Sequence, residues 1–350
     1  MRRIGLAALT LGVVGMAVAS VVPAAVGAER LSVTQTLATG LTSPWGLAFL
    51  PDGSALVSER DTGLVKRIPR EGGRATVVGK VPGVRPSGEG GLLGIAVPPG
   101  PDPKAVFAYY TAARDNRVVR IDWDGTRLGR QQAIVTGIPK NTYHNGGRLL
   151  ATRDALYIGT GDAGEPERSQ DPRDLAGKVL RVTQDGRPYP GNPDPSSPVF
   201  TLGHRNVQGL DADRAGRVWA TEFGERTADE LNLLTPGGNY GWPRYEGREQ
   251  DSRYVNPKVT WSPTSTASPS GMAIRGDSAY VASLRGEALW QVPVIGTRAG
   301  TPERAPLGDL GRLRTVSAAP DGSLWLITSN TDGRGSPGPE DDRVLRLTFR

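Results

Sequence analysis

Histidine is the side-chain type whose ordinary pKa lies closest to neutrality, and the 350-residue chain has two of them. His144 lies in the segment YHNGG at residues 143–147, a turn that leads into an apolar strand. An imidazole at such a position can act as a general base. A structural histidine held by hydrogen bonds is the alternative, and both interpretations stay open for His204 as well.

Asp162 lies in the segment GTGDAG at residues 159–164. This string matches the dinucleotide pattern G-x-G-x-x-G, but the next residues, EPERSQDP at 165–172, do not open a packed helix that could hold a pyrophosphate. We therefore interpret Asp162 as a carboxylate that orients a neighbouring histidine. A solvated loop aspartate is the alternative.

A set of arginines is predicted to lie on the same face as the two histidines. Several guanidinium groups around one opening suit a small polyanion, because each can bind a carboxylate or phosphate through two hydrogen bonds. Any one of them could instead be an ordinary surface arginine. The members of the set are Arg205, Arg285, Arg312 and Arg314.

Oxygen donors are concentrated in one stretch, from EFGE at residues 222–225 through Asp229 and Glu230 to Tyr240. Calcium prefers such hard oxygen ligands, including backbone carbonyls, so the stretch is a candidate calcium site or a solvated acidic loop. Trp261 is a candidate for stacking on a sugar ring, with a core tryptophan as the alternative.

Composition narrows the class of protein that must position these residues. The chain has no cysteine, which excludes disulfides, thiolate metal sites and a catalytic thiol. Its 47 glycines and 29 prolines favour many turns between short strands. The net charge of +6 is mild and its bases are scattered, so we expect no nucleic-acid partner.

One pattern recurs six times: an apolar strand, a tight turn, a second strand, a polar loop and a third strand. The copies begin near Gly46, Gly94, Gly147, Gly209, Gly271 and Thr315. Such repetition predicts an all-β fold, a six-bladed β-propeller of four-stranded antiparallel blades. Residues 31–37 would complete the last sheet and close the ring. A β-sandwich is the rival fold, but it has no reason to repeat six times.

Propeller geometry brings two kinds of segment to one face of the disc near its channel. These are the start of each first strand and the loop between each second and third strand. The candidate residues fall in such segments, which is why we expect them to converge.

Residues 1–28 differ in kind from the rest, with Arg2 and Arg3 followed by an apolar stretch and small residues. They are predicted to be a secretory signal peptide, with a membrane anchor as the alternative. Residues 29–350 would form a single propeller domain, exported to the periplasm or the medium. No later segment is long and apolar enough for a membrane span, so we expect no stable anchor.

Several of these segments, in this order, resemble the soluble quinoprotein sugar dehydrogenases, the glucose/sorbosone or aldose sugar dehydrogenase family that uses pyrroloquinoline quinone. The resemblance covers essentially the whole chain after residue 28. The matching segments are SPWG at 43–46, GEGGLLG at 88–94, YHNGGRL at 143–149, LGHRNVQG at 202–209, GGNYGWP at 237–243 and RLR at 312–314.

The resemblance implies a reaction and roles for the residues. His144 would take the proton of the anomeric hydroxyl while hydride passes from C1 of an aldose to the quinone, and Asp162 would orient this histidine. Arg205, with Asn206, would polarise the quinone oxygen.

Ligands for the cofactors are implied by the same resemblance. The quinone carboxylates would meet Arg285, Arg312 and Arg314. Carbonyls of Gly224 and Glu225 would hold a calcium ion on the cofactor side. The candidates for a second, structural ion would be Asp229, Glu230 and Tyr240.

Two positions depart from the glucose dehydrogenase pattern. Glu89 stands where a glutamine contacts the cofactor region, and Arg285 stands where a lysine does. A carboxylate beside a polyanionic cofactor needs a cationic partner. The insertions that build a dimer interface in the glucose enzyme are short here, so we expect a monomer, with an electron acceptor that the sequence does not identify.

Two other functions remain open at the level of sequence. One is a calcium-dependent hydrolase similar to lactonase propellers, which use acidic and asparagine ligands at the channel. The other is a propeller that binds carbohydrate or protein without chemistry. The arginine set together with a paired histidine and aspartate favours the quinone enzyme.

Overall fold

The computed structural model describes residues 30–350 and shows six antiparallel β-sheets arranged in sequence order as the blades of a propeller. The predicted signal peptide lies outside the described residues. The first strand, β1 (Leu31–Ala38), precedes the first blade. Blade 1 consists of β2 (Pro44–Phe49), β3 (Ala55–Glu59), β4 (Leu64–Ile68) and β5 (Thr76–Lys80).

The next three blades have the same up-and-down order. Blade 2 consists of β6 (Leu92–Ala96), β7 (Ala105–Thr111), β8 (Asn116–Trp123) and β9 (Leu128–Ile138). Blade 3 consists of β10 (Leu149–Ala151), β11 (Leu156–Gly159), β12 (Lys178–Val182) and β13 (Val199–Leu202). Blade 4 consists of β14 (Val207–Ala212), β15 (Val218–Glu222), β16 (Asp229–Leu233) and β17 (Val259–Trp261).

Blade 5 has one additional short strand. It consists of β18 (Pro269–Arg275), β19 (Ser278–Ser283), β20 (Leu289–Ile295) and β21 (Arg298–Ala299), with β22 (Glu303–Arg304) also paired to β20. Blade 6 consists of β23 (Leu313–Ala318), β24 (Leu324–Thr328) and β25 (Val344–Phe349), with β1 as its outermost strand.

Pairing of β1 with β25 closes the ring, as the sequence predicts. The register joins Leu31 to Phe349 and Ala38 to Val344. The first and last strands of the described residues therefore lie in the same sheet, which ties residue 31 to residue 349. The predicted six-bladed propeller is confirmed.

The core consists of six hydrophobic clusters, and each lies between two neighbouring blades. Several second strands, such as β7, β11 and β24, are buried on both faces, so they are almost continuously apolar rather than alternating. One cluster contains Leu37 of β1, Val57 of blade 1 and Trp325 of blade 6. Each blade is thus stabilised by the two beside it.

Turns of the type Pro-Asp-Gly connect the first two strands of blades 1 and 6, as expected. Gly53 and Gly322 have φ values of 82° and 84°, a conformation that favours glycine. In the second turn Asp321 accepts a hydrogen bond from the Ser323 backbone N–H at 2.9 Å. These turns lie on the face opposite to the loops that carry the candidate residues.

Helical structure within residues 30–350 is limited to two short 3₁₀ segments, Pro166–Gln170 and Thr264–Thr266. The first follows the GTGDAG segment, and its five residues are too short to bind a pyrophosphate at an α-helical N-terminus. No helix in this part of the chain has the length and apolarity needed to cross a bilayer.

Candidate functional site

A cavity of about 180 Å³ lies at the mouth of the central channel, where the first strands of the blades begin. Every blade contributes to its wall, through either the start of a first strand or a loop between later strands. The lining residues are Trp45, Arg60, Gly88, Glu89, Asn145, Gly146, Gln208, Phe223, Leu284, Arg314, Asp332, Gly333 and Arg334.

His144 and Asp162 form a hydrogen-bonded pair beside this cavity. The Nδ1 atom of His144 lies 2.7 Å from Oδ1 of Asp162, and the side chains are 16% and 1% exposed. Trp242 donates its indole N–H to the other carboxylate oxygen at 2.9 Å. A carboxylate at Nδ1 selects the tautomer that carries its proton there, which leaves Nε2 as the proton acceptor.

The backbone of His144 has an unusual conformation. Its φ is 55°, in the left-handed region, which costs a non-glycine residue about 1 to 2 kcal/mol. The backbone N–H of His144 donates to Oε2 of Glu89 at 3.0 Å, which holds this conformation. The position of the imidazole therefore depends on a residue from the start of blade 2.

The glycines around Asp162 do not form a nucleotide site, and Gly161 has a steric role instead. A Cβ atom at this position would lie 2.0 Å from the backbone oxygen of His144. The glycine allows the segment that carries Asp162 to approach the segment that carries His144. Its role is the close approach of two backbones.

The second histidine is structural. His204 is fully buried, and its Nδ1 and Nε2 atoms lie 2.6 Å from Glu222 and 2.8 Å from Thr201. Its ring stacks on Tyr240 with 4.6 Å between the centroids. Because both nitrogens have protein partners, His204 supports the neighbouring Arg205 loop and is not available as a base.

Arg205 and Asn206 present buried donors without partners in the described chain. The guanidinium of Arg205 lies 5.3 Å from the ring centre of Trp242, and its Nε is unbonded. Asn206 accepts a hydrogen bond from the Gly146 backbone N–H at 3.0 Å, while its Nδ2 is unbonded. A buried donor without an acceptor is costly, so these groups indicate a place for a ligand.

Arg312 and Arg314 converge on one carboxylate, that of Asp332. The distances from their Nη2 atoms to Oδ2 are 2.9 Å and 3.8 Å. Arg314 also lies over the ring of Trp45, and burial lowers its pKa to about 10 although Asp332 opposes this shift. Its Nε is buried and unbonded. Arg314 lines the cavity, whereas Arg205 lines a smaller pocket beside Trp242.

Four cavity residues that bear on charge or hydrogen bonding were missed by the sequence interpretation: Arg60, Gln208, Asp332 and Arg334. Gln208 accepts from Arg314 at 3.1 Å and donates to Asn206 at 3.1 Å, so it connects two predicted residues. The positional rule for propeller loops could have found Arg60, which follows β3. The rule could not have found Arg334, because the position of this residue depends on the course of a longer loop, residues 329–343.

Arg285 does not belong to the cavity. It is exposed, and the neighbouring Leu284 is the residue of that loop that lines the wall. The prediction that Trp261 stacks on a sugar is also wrong, and the alternative of a core tryptophan holds. It is 3% exposed and packs in the core between blades 4 and 5, with its ring centre 6.1 Å from that of Trp290.

The exposed aromatic side chain near the base is Tyr143. It is 43% exposed, and within residues 30–350 it is the one large aromatic side chain in that class. Its ring meets that of His144 edge to face, with 4.7 Å between centroids. Tyr143 is therefore placed to contact a ligand that approaches the imidazole.

The loop of Gly224 and Glu225 has carbonyl groups that suit a cation. Oε1 of Glu246 accepts the backbone N–H groups of residues 225–228 at 2.6 to 3.1 Å. In a trans peptide the carbonyl points away from the N–H of the same unit, so the oxygens of Gly224 and Glu225 point away from Glu246. No described residue donates a hydrogen bond to either oxygen.

The candidate site for a second ion does not fit a metal. Asp229 and Glu230 are consecutive in β16, so their side chains point to opposite faces of the sheet. Asp229 accepts from the Gly224 and Ser268 backbones, and the hydroxyl of Tyr240 donates to Leu233 at 2.7 Å. Within residues 30–350 no group of three His, Cys, Asp or Glu side chains could hold a metal.

Burial gives these two carboxyl groups unusual electrostatics. It raises the pKa of Asp229 to about 7 despite its two backbone hydrogen bonds. Burial, and then the nearby charge of Glu222, raise the pKa of Glu230. Glu230 accepts hydrogen bonds from the Gly247 backbone at 2.7 Å and from Asn232 at 2.9 Å.

A carboxylated quinone fits the residues around the cavity. The guanidinium groups of Arg60, Arg314 and Arg334 line the opening, and the Nε atom of Arg314 lacks an acceptor. Arg205 and Asn206 lie near the wall and each has one further unbonded donor. The free carbonyls of the Gly224 loop add ligands suited to a calcium ion. A planar ligand with several carboxylates supplies the acceptors that these groups lack.

Comparison with known proteins gives a consistent result. The model of the family described as Glucose / Sorbosone dehydrogenase matches residues 41–337. The structure is similar to that of the PQQ-bound form of an aldose sugar dehydrogenase from Streptomyces coelicolor. The identity is 50%, the TM-score is 0.87, and the match covers 92% of this chain and 98% of that chain.

Two relatives with lower sequence identity are also named as sugar dehydrogenases. An aldose sugar dehydrogenase of Escherichia coli is 27% identical, with 85% of this chain and 90% of the relative covered. Quinoprotein glucose dehydrogenase B of Acinetobacter calcoaceticus is 30% identical, with 63% of this chain and 54% of the relative covered. The resemblance seen in the sequence motifs is confirmed.

Proposed function

Because the chain belongs to the glucose/sorbosone dehydrogenase family, we propose that it is an aldose dehydrogenase dependent on pyrroloquinoline quinone. It would oxidise the anomeric C1 hydroxyl of an aldose to a lactone. The observation that carries the proposal is the pairing of His144 with Asp162 beside a cavity lined by the guanidinium groups of Arg60, Arg314 and Arg334.

His144 is the proposed general base. Its Nε2 takes the proton of the C1 hydroxyl, and Asp162 stabilises the imidazolium that forms. When bound, the quinone supplies the acceptor for the hydride, the hydrogen with two electrons that leaves C1. The sugar loses one proton to the histidine and one hydride to the acceptor, which leaves the lactone.

Arg205 and Asn206 are the proposed electrostatic residues. Donors that are already in place would stabilise the negative charge of a reduced acceptor without reorganisation. The unbonded Nε of Arg205 and Nδ2 of Asn206 support this proposal. Arg312 and Arg314 would set the positive potential for carboxylates, while Arg285 would have no direct contact.

Tyr143 is the proposed platform for the sugar. Aromatic faces bury the apolar face of a pyranose while its hydroxyls stay hydrated. The exposure of Tyr143 and its contact with His144 would place a stacked sugar next to the base. It takes the role that the buried Trp261 cannot have.

The proposal also includes a calcium ion, export of the protein and its organisation as a single domain. Carbonyls of Gly224 and Glu225 are the proposed ligands of one calcium ion on the cofactor side. Residues 1–28 would be removed during export to the periplasm or the medium. Residues 29–350 would then act as one monomeric propeller domain that takes a small aldose.

The test is reconstitution of purified apoprotein with pyrroloquinoline quinone and calcium, followed by aldose-dependent reduction of a dye and detection of the lactone. We expect turnover that requires the quinone. His144→Ala should abolish it, and Asp162→Asn should lower kcat by about 100-fold to 10,000-fold, because the imidazole loses its tautomer and its counter-charge.

A matched control is Lys104→Gln. In the wild type, Nζ of Lys104 lies 2.6 Å from Oδ2 of Asp102 in an exposed ion pair away from the cavity. The variant should leave turnover unchanged. Quinone-independent hydrolysis of a lactone, without aldose oxidation, would support the lactonase alternative instead. Sugar binding without either reaction would support a binding propeller.

A further inference from the structure

Glu89 and Arg334 form an ion pair across the mouth of the cavity. Nη1 of Arg334 donates to Oε1 of Glu89 at 2.9 Å, although the residues are 245 positions apart. Their side chains are 25% and 62% exposed, and both line the cavity. The pair joins the loop before β6 of blade 2 to the loop between β24 and β25 of blade 6.

The acidic half of this pair is attached to the base. The second oxygen of Glu89 accepts the backbone N–H of His144 at 3.0 Å, and the Glu89 backbone N–H donates to Thr142 at 2.7 Å. A Cβ atom on Gly88 would lie 2.1 Å from the Thr142 oxygen, so this turn packs directly against the segment of the base. A movement of Glu89 would therefore move His144.

The basic half is attached to the buried arginines. The Arg334 backbone N–H donates to Oδ1 of Asp332 at 2.9 Å. The other oxygen of Asp332 accepts from Arg312 at 2.9 Å and 3.2 Å. The loop that carries Arg334 is thus anchored before it reaches across to Glu89.

The negative charge of Glu89 also affects which ligand the cavity can bind. Burial alone would raise the pKa of Glu89, but hydrogen bonds from the His144 backbone and from Arg334 outweigh it, so the pKa lies below its usual range. Glu89 is therefore ionised at neutral pH. A carboxylate at the wall repels a carboxylated ligand unless a cation offsets it.

We propose that the Glu89–Arg334 pair is a clamp across the cavity mouth. Glu89 is a positioning residue for His144, and Arg334 offsets the charge that Glu89 presents to a carboxylated ligand. The part that concerns the ligand rests on the proposed function, whereas the positioning of His144 does not.

The first test measures the affinity of apoprotein variants for pyrroloquinoline quinone by quenching of tryptophan fluorescence, with Trp45 in the cavity wall as a reporter. Arg334→Gln should raise Kd about tenfold or more, because Glu89 is left uncompensated. Glu89→Gln should bind at least as tightly as the wild type. The double variant, which removes both charges, should return to within about threefold of the wild-type Kd.

The second test needs no cofactor. With histidine labelled by nitrogen-15, the chain has two reporters, of which His144 contacts the clamp and His204 does not. Glu89→Ala should shift the backbone and ring signals of His144 and leave those of His204 in place. Glu89→Gln keeps an oxygen acceptor and should restore the His144 signals toward the wild type.

Lys104→Gln serves as the control in both tests, and circular dichroism checks the fold of every variant. Equal weakening by Arg334→Gln and Glu89→Gln, or no recovery in the double variant, would overturn the charge role. Unmoved His144 signals in Glu89→Ala would overturn the positioning role. Absence of quinone binding by the wild type would contradict the proposed function and the charge role together, while the nuclear magnetic resonance result still decides the positioning role.

Discussion

At the scale of residues, most of the polar groups around the cavity are used to hold others in place. Asp162 is hydrogen-bonded to His144, Gln208 connects Asn206 with Arg314, and Asp332 pairs with Arg312 and Arg314. Among these bonded groups of the cavity wall, the Nε atom of Arg314 is left without a described partner.

Tyr143 should contribute to sugar binding more than to the chemical step. Tyr143→Ala should raise KM for the aldose about threefold to tenfold, since an aromatic contact is worth about 0.5 to 1.5 kcal/mol, with kcat nearly unchanged. Tyr143→Phe keeps the ring and should retain the wild-type KM. Steady-state kinetics measure both, and an unchanged KM in Tyr143→Ala would contradict the role.

Asp332 should make stability depend on pH. Burial would raise its pKa, but the hydrogen bonds and charges of Arg312 and Arg314 lower it overall. Its stabilising contribution is therefore present above the ordinary aspartate pKa near 4 and is lost as the pH falls through the lower native pKa.

The comparison of Asp332→Asn with the wild type tests this. At pH 7 the variant should lose about 3 kcal/mol in the free energy of unfolding, because a buried ion pair is broken, and the difference should shrink toward pH 3. Asp185→Asn, an exposed partner of Arg187, should have little effect at either pH. Urea unfolding gives the values. A pH-independent difference would show that charge is not the cause.

At the scale of elements, the site depends on loops that approach each other closely. The segment after β11 and the segment before β10 meet at Gly161 and His144, and a hydrogen bond joins the Gly161 carbonyl to Gly177. Strands hold the ends of these segments rigidly, so the approach leaves no space for a side chain. The same rigidity keeps the dyad at hydrogen-bond distance.

Gly161→Ala should therefore separate the dyad. Its Cβ would lie 2.0 Å from a backbone oxygen, and we expect a loss of about 3 kcal/mol or more in the free energy of unfolding together with loss of turnover. Gly216→Ala is the control, because nothing lies within 4 Å of that site and only its φ of 76° is strained, at about 1 kcal/mol. Equal effects of the two variants in thermal and urea unfolding would contradict the steric argument.

At the scale of the whole molecule, stability comes from closing the ring. Each hydrophobic cluster needs two blades, and the cluster between blades 6 and 1 needs β1, which joins the first described residues to the last sheet. The cavity receives residues from all six blades. Closure and the site are therefore coupled.

Leu37→Ala in β1 tests the closure. Leu37 is 1% exposed, and removing such a side chain costs about 2 to 5 kcal/mol. Thr36→Ala, at the exposed neighbouring position, should be nearly neutral. The free energy of unfolding in urea measures the two. Similar values for both variants would show that the β1 contacts do not stabilise the ring.

The sequence by itself determined the six repeats and the closing strand, because strand periodicity and turn residues are local signals. It suggested that Asp162 orients a histidine, and the family resemblance implied that this histidine is His144 and that arginines surround the site. It also raised the need for a partner of Glu89. Only the tertiary structure decided which arginine meets it, since Arg334 lies 245 residues away. The exposure of Arg285, the burial of Trp261 and the opposite directions of Asp229 and Glu230 were decided there too. Burial and charge pairing depend on how blades pack and where long loops run, and neither is encoded within a short segment.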